Sequence, residues 1–286
     1  MQVLESVRQA QEVLGQIKGK GAIALVPTMG CLHQGHLELI KLAQKHSEKV
    51  VVSIFVNPLQ FGPHEDFEKY PRTLAADKEK LASIGLNYLF HPTVDDFYPS
   101  DFSNQVQVGE LGTRLCGRFR PGHFNGVATV CLKLFEVSRA DLAVFGEKDF
   151  QQLQVINNLV RDFNLPISIL SCPTIRESDG LAMSSRNRYL SPEERERAAL
   201  VPHTLRQLKE EVTSHSSIKV GDLLNIARKC LSGLEVQYVE ITDGSNLQST
   251  EETASISDLK SPRFFLAVKI GNTRLIDNMS LKELPR

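Results

Sequence analysis

The feature that most constrains this chain is its alternation of short apolar runs with helical patterns over the first 170 or so residues. The runs Ala22–Val26, Val50–Val56, Tyr88–Phe90, Leu142–Phe145 and Ile167–Leu170 read as buried strands. Between them, Leu37–Lys45, Leu74–Ile84, Val127–Val137 and Phe150–Asp162 place apolar residues at helical spacing. A strand–helix alternation of this kind predicts an α/β domain with a mainly parallel sheet. Ligands of such sheets bind beyond the carboxyl ends of the strands, so the loops that follow each apolar run are where chemistry is expected.

The first of these loops is Pro27–Thr28–Met29–Gly30–Cys31–Leu32–His33–Gln34–Gly35–His36. Two histidines three apart stand where a strand hands over to a helix, at the end whose N–H groups and dipole attract anions. Gly35 between them offers no Cβ to obstruct a flat or charged ligand. The reading is a nucleotide-phosphate site. Helix capping is the plainer alternative, and a metal pair is disfavoured because no third ligand stands at the usual spacing.

Further clusters follow the other runs: Asn57–Pro58–Leu59–Gln60, Pro71–Arg72–Thr73 and Arg120–Pro121–Gly122–His123, then Gly146–Glu147–Lys148–Asp149–Phe150–Gln151–Gln152. A last one, Asp179 to Asn187, contains Met183–Ser184–Ser185–Arg186. Lys148 is a compact charge suited to a polyphosphate, and its surroundings lack the spacing of a Walker loop. Asp149 with Gln152 also fits a capping pair for the helix that follows. The two hydroxyls and guanidinium of 184–186 suit phosphate oxygens, with an interdomain linker as the alternative.

After Cys172–Pro173 the texture changes. Ser191–Pro192–Glu193–Glu194 is a helix start, opening a helix toward Val212. A helix near Leu223–Leu231 and strands at Glu235–Ile241, Phe264–Ile270 and Thr273–Asp277 complete an α+β pattern. The expected division is residues 1–174, a Rossmann-like nucleotide- and acid-binding domain, and 175–286, a smaller α+β domain closing over the site.

The bulk numbers exclude several classes. Lys+Arg 33 against Asp+Glu 34 gives a formal charge of −1, so no global field favours nucleic acid. Five scattered cysteines without a C-x-x-C pair argue for reduced thiols and a cytoplasmic protein. No signal peptide or membrane span is evident.

In this order and spacing the motifs from about Pro27 to Tyr189 resemble the pantoate–β-alanine ligase family of the nucleotidyltransferases that carry a HIGH-type signature. One departure is Cys31, where a small residue such as alanine is common. The resemblance implies ATP-dependent condensation of pantoate with β-alanine through a pantoyl adenylate, releasing pyrophosphate and AMP. It implies ATP contacts at Met29, Gly30, Cys31, Leu32, His33, Gln34, Gly35 and His36. Others fall at Gly146, Glu147, Lys148, Asp149, Ile175, Met183, Ser184, Ser185 and Arg186. His36 becomes the proton donor, with His33 and Lys148 beside it in catalysis. Gln60 and Gln152 fall on pantoate, where neutral amides leave the nucleophilic carboxylate unpaired.

Asn57, Arg120 and His123 complete the substrate set, the last two for the β-alanine carboxylate or pyrophosphate. Magnesium is expected with ATP, and Asp77 is a weak candidate ligand. A homodimer is expected from the family, with no nucleic acid and no membrane as partner. Two other readings stay open on the residues alone. One is a nucleotidyltransferase that leaves the nucleotide on its product, and the other a nucleotide-sensing module.

Overall fold

The structure is a computed structural model that describes residues 1–63 and 65–282. It falls into two units. One comprises Met1–Thr113, Arg120–Glu147 and Gln152–Pro173, and the other Arg114–Phe119, Lys148–Gln151 and Thr174–Arg286.

The first unit is built on six parallel strands: β1 (Gln2–Leu4), β2 (Ile23–Thr28), β3 (Lys49–Ile54), β4 (Tyr88–Phe90), β5 (Leu142–Gly146) and β6 (Ser168–Cys172). Their order is β1-β4-β3-β2-β5-β6. Every pairing between them is parallel. Strands covered on both faces read as continuous apolar runs, which is why Val50–Val51–Val52 gives β3 away. Those three valines are fully buried. The edge strand β1 is not expected from the sequence, because three residues paired only with β4 leave too short a pattern.

Helices α1 (Val7–Ile17), α2 (Gln34–His46), α3 (Leu74–Ser83), α4 (Val94–Phe97), α6 (His123–Ser138) and most of α7 (Phe150–Asp162) complete this unit, α5 (Cys116–Phe119) belonging to the other. One core joins Ile40 and Ala43 of α2 with Leu81 of α3 and with Val26, Val52, Leu89 and Val144 of the strands. The strand order reverses at β2, which has β3 on one side and β5 on the other. The loops leaving these three strands carry the histidines, Asn57 with Gln60, and the 147–149 turn. That is the switch point where a doubly wound sheet opens its crevice.

The second unit packs α8 (Pro192–Ala198), α9 (Leu200–Ser214) and α10 (Val220–Cys230) with an antiparallel sheet β7 (Glu235–Asp243), β8 (Pro262–Ile270) and β9 (Thr273–Ser280). Ser191 caps α8 as the sequence predicts: its hydroxyl accepts from the Glu194 N–H at 3.2 Å, and Glu194 accepts from the Ser191 N–H at 3.0 Å. The single helix expected to reach Val212 is two, broken at Ala199. Pro202 lacks the N–H that the Ala198 carbonyl would need, so the ladder lapses there.

Four cysteines are buried and only Cys230 is partly exposed; none forms a disulfide. Burial pushes the Cys131 thiol up to about 12 and raises that of Cys172. A thiol reagent added to native protein should therefore modify Cys230 quickly and the others only on unfolding. Mass mapping of the labelled peptides checks this. Rapid labelling of Cys131 would contradict it.

Candidate active site

The turn between β2 and α2 is shaped by one buried carboxylate. Gly30 has φ +80° and Cys31 φ +52°, so the chain curls through two left-handed residues. This aims the N–H groups of Cys31 and Leu32 at Asp77 of α3, each donating at 2.8 Å to a different oxygen. Thr73 adds its hydroxyl at 3.1 Å. Successive N–H groups arranged this way form an anion-binding nest. Here the anion is the protein's own. Lys80, one helical turn beyond Asp77, donates to the Leu32 carbonyl at 2.6 Å.

Asp77 is 1 % exposed and both its oxygens accept bonds from the loop, so it holds the turn in place. Among the described residues no group of three or more His, Cys, Asp or Glu is placed to hold a metal ion. The N–H groups of Cys31 and Leu32 likewise face Asp77, so these residues do not offer them to a phosphate. Gly30 is required on two counts, its positive φ and the 3.0 Å that a Cβ would leave to Ile54.

The two histidines that follow are half-buried and stacked, with ring centroids 4.0 Å apart. His33 is the residue before α2, and its N–H donates to Nδ1 of His36 at 3.3 Å. An Nδ1 that accepts leaves a neutral imidazole its proton on Nε2. The contact that closes the helix start thus leaves Nε2 of a neutral His36 as the donor. Gln34 and Gly35 complete the first turn of the helix.

Gln60 is held from several sides. Asn57 donates from Nδ2 to Oε1 of Gln60 at 2.9 Å and to the Gly126 carbonyl at 3.1 Å, and accepts from the Tyr98 hydroxyl at 3.0 Å. The Gln60 amide reaches the Met29 sulfur at 3.2 Å. The Gln60 main-chain carbonyl accepts from Arg120 at 3.2 Å and meets Nδ1 of His123 at 2.8 Å. The Arg120 guanidinium grips Glu65 through Nε and Nη2, at 2.7 and 2.6 Å. Burial raises the Glu65 carboxyl, but the Arg120 hydrogen bond and charge outweigh it and hold the group below its ordinary range.

The sequence offers Arg120 and His123 for the β-alanine carboxylate or pyrophosphate, or as no more than a basic turn held by Pro121–Gly122. In the structure the guanidinium is paired with Glu65 and both residues brace the Gln60 main chain. Asn57 is 1 % exposed and also a brace, leaving Gln60 as the group it presents. Sequence reasoning misses Tyr98, Glu65 and Gly126, whose partners lie 41, 55 and 69 residues away in the chain.

The remaining candidates divide between the units. Gly146, Glu147 and the half-buried Gln152 belong to the first, whereas Lys148 and Asp149 belong to the second. The Lys148 ammonium lies 3.7 Å from the Asp149 carboxylate. In the second unit Ile175 accepts at its carbonyl from the Met183 N–H at 2.9 Å. Ser184 caps the short turn Ser185–Tyr189 by accepting from the Arg186 N–H. Arg195 bridges Glu177 and Asp179 at 2.7 and 2.5 Å, stiffening the same loop.

The chain is similar to known proteins over nearly its whole length. The family profile described as pantoate-beta-alanine ligase matches residues 2–280, extending well past the segment that carries the motifs. A pantothenate synthetase of Sulfurihydrogenibium sp. (strain YO3AOP1) is 46% identical over 286 residues, covering 98% of this chain and 99% of that protein. One of Bradyrhizobium diazoefficiens is 44% identical over 288 residues and the whole of both chains. Among solved structures, the pantothenate synthetase of Thermus thermophilus superposes with a TM-score of 0.92 at 38% identity, covering 99% of this chain and all of that one. The Francisella tularensis ligase, complexed with beta-gamma ATP and beta-alanine, gives 0.82 at 35% identity, with full coverage of both chains.

Proposed function

The chain belongs to the pantoate–β-alanine ligase family, and we propose which of its residues carry each step of that reaction. The chain condenses pantoate with β-alanine at the expense of ATP, through a pantoyl adenylate. In the first step a pantoate carboxylate oxygen attacks the α-phosphorus, and the bond to pyrophosphate breaks. In the second the neutral amine of β-alanine attacks the acyl carbon. The bond to AMP breaks and the nitrogen loses a proton.

Gln60 and Gln152 hold the pantoate hydroxyls and leave its carboxylate unpaired, with Gln60 also beside the β-alanine. Nε2–H of His36 donates to a non-bridging oxygen of the α-phosphate as charge builds there, and His33 donates beside it. Fixed donors aimed at developing charge supply the largest catalytic term in such transfers. Met29, Gly30, Gln34, Gly35, Gly146 and Glu147 line the nucleotide as backbone surfaces.

Lys148 neutralises the leaving pyrophosphate. Ser184, Ser185 and Arg186 hold phosphate oxygens, and Ile175 and Met183 meet the base. Asp149 orients the Lys148 ammonium.

Magnesium accompanies ATP as the counter-ion of its phosphates. The described donor set does not fit a metal site made by protein side chains, so no step is assigned to the ion. The chain works in the cytoplasm as a homodimer, in line with its family; among the described residues no helix is long and apolar enough to cross a membrane.

The observation that carries this reading is the stacked histidine pair in which Nδ1 of His36 takes the His33 N–H. ATP–pyrophosphate exchange is the test. Exchange should require pantoate and proceed without β-alanine. A stable adenylated product released with no amine present would favour the nucleotidyltransferase alternative. Gln152→Ala should raise the KM for pantoate by about tenfold or more, the loss of one or two hydrogen bonds, with little change for ATP. Equal losses for both substrates together with a lower Tm would make Gln152 a structural residue only.

A further inference from the structure

Two adjacent residues of β9 are tied to both parts of the polyphosphate set. Asn278 donates from Nδ2 to the main-chain carbonyl of Lys148 at 2.9 Å, across 130 residues of sequence. Its own Oδ1 accepts from Arg263 of β8 at 2.6 Å. That guanidinium lies 3.6 Å from the ring centre of Phe150, two residues beyond Lys148. Asn278 and Arg263 are 5 % and 8 % exposed.

Asp277 accepts from Arg176 through both oxygens, at 2.7 and 3.0 Å, and Arg176 donates onward to the Gly180 carbonyl at 3.0 Å. The Asn278 N–H donates to Asp277 at 2.8 Å, locking the neighbours together. One strand thus fastens the Lys148 main chain and the loop leading into Met183–Arg186.

A sheet of this size gains nothing in stability from a buried Asn–Arg pair that a pair of apolar side chains would not supply better. What the pair does supply is position. A lysine side chain is long and flexible, so the placement of its ammonium depends first on where its main chain is anchored. We infer that Asn278 and Arg263 are positioning residues for Lys148, and that β9 sets the lysine and the serine loop as one rigid group for the nucleotide. The inference rests on the assignment of Lys148 to ATP made above.

The test is a double-mutant cycle on the full-length enzyme. Asn278→Asp keeps the size and the acceptor for Arg263 but removes the donor to Lys148. Asn278→Ala controls for the added charge. Each should lower kcat/KM for ATP by about tenfold, the effect of losing one well-placed hydrogen bond, while the KM for pantoate stays within about twofold. In a Lys148→Ala background the same substitutions should change ATP kinetics by less than about twofold.

Equal losses in both backgrounds, or a lower Tm with ATP kinetics intact, would overturn the inference and leave Lys148 in its role. If Lys148→Ala alone leaves ATP kinetics intact, the assignment of the lysine falls and this inference with it. Should one Asn278 variant fail to fold, the other, with Arg263→Lys, carries the same cycle.

Discussion

His36→Ala should slow pantoyl-adenylate formation by a factor of about 100 or more, the usual cost of removing a fixed donor from a developing oxyanion. Single-turnover measurement of pyrophosphate release reads this step directly. The stability effect should be smaller, because the ring also accepts the His33 N–H at 3.3 Å and capping contacts contribute only about 1 kcal/mol. The two contributions separate in His36→Gln, whose side-chain oxygen can accept the same bond. That variant should regain Tm without regaining rate. A folded His36→Ala enzyme that forms adenylate at the parental rate would remove the residue from the chemistry.

The largest effect on folding should come from Gly126→Ala, a residue that touches no substrate. A methyl added there falls on the Leu59 carbonyl and comes within 2.6 Å of the Gln60 nitrogen, so α6 and the 58–60 turn would have to separate. Overpacking against rigid backbone costs about 1–3 kcal/mol, which for a chain of this size lowers Tm by roughly 2–5 °C. The KM for pantoate should rise with it, because the displaced turn carries Gln60, while ATP kinetics change less. Gly109→Ala is the matched control, since nothing lies within 4 Å of its added methyl. An unchanged Tm in Gly126→Ala would mean that the helix and turn are not held at this spacing.

The parts legible in the sequence are those whose cause is local. Strands β2 to β6 announce themselves as apolar runs, the start of α8 as Ser–Pro–Glu–Glu, and the histidine turn as a strand-to-helix junction. What stays hidden depends on partners far along the chain. Asp77 looks like a spare carboxylate until Cys31 and Leu32, more than 40 residues earlier, turn their N–H groups to it. Arg120 looks like an uncommitted cation until Glu65 is placed against it. Asn278 stands just past the strand read at Thr273–Asp277, and its partner Lys148 is 130 residues earlier. In each case the residue type is visible and its partner is not.

The route of the backbone has a practical corollary. The carboxy-terminal unit takes up Arg114–Phe119 and Lys148–Gln151 as well as its own contiguous stretch. Within it Cys116 meets the Tyr238 hydroxyl at 3.1 Å and takes the Gln151 side chain on its N–H at 3.0 Å. A truncated polypeptide ending at Pro173 would therefore keep two short excursions and lose the later partners, Tyr238 among them, that they dock against. Chimeras with a relative meet the same obstacle: the tail cannot be exchanged as a cassette unless both inner peptides travel with it.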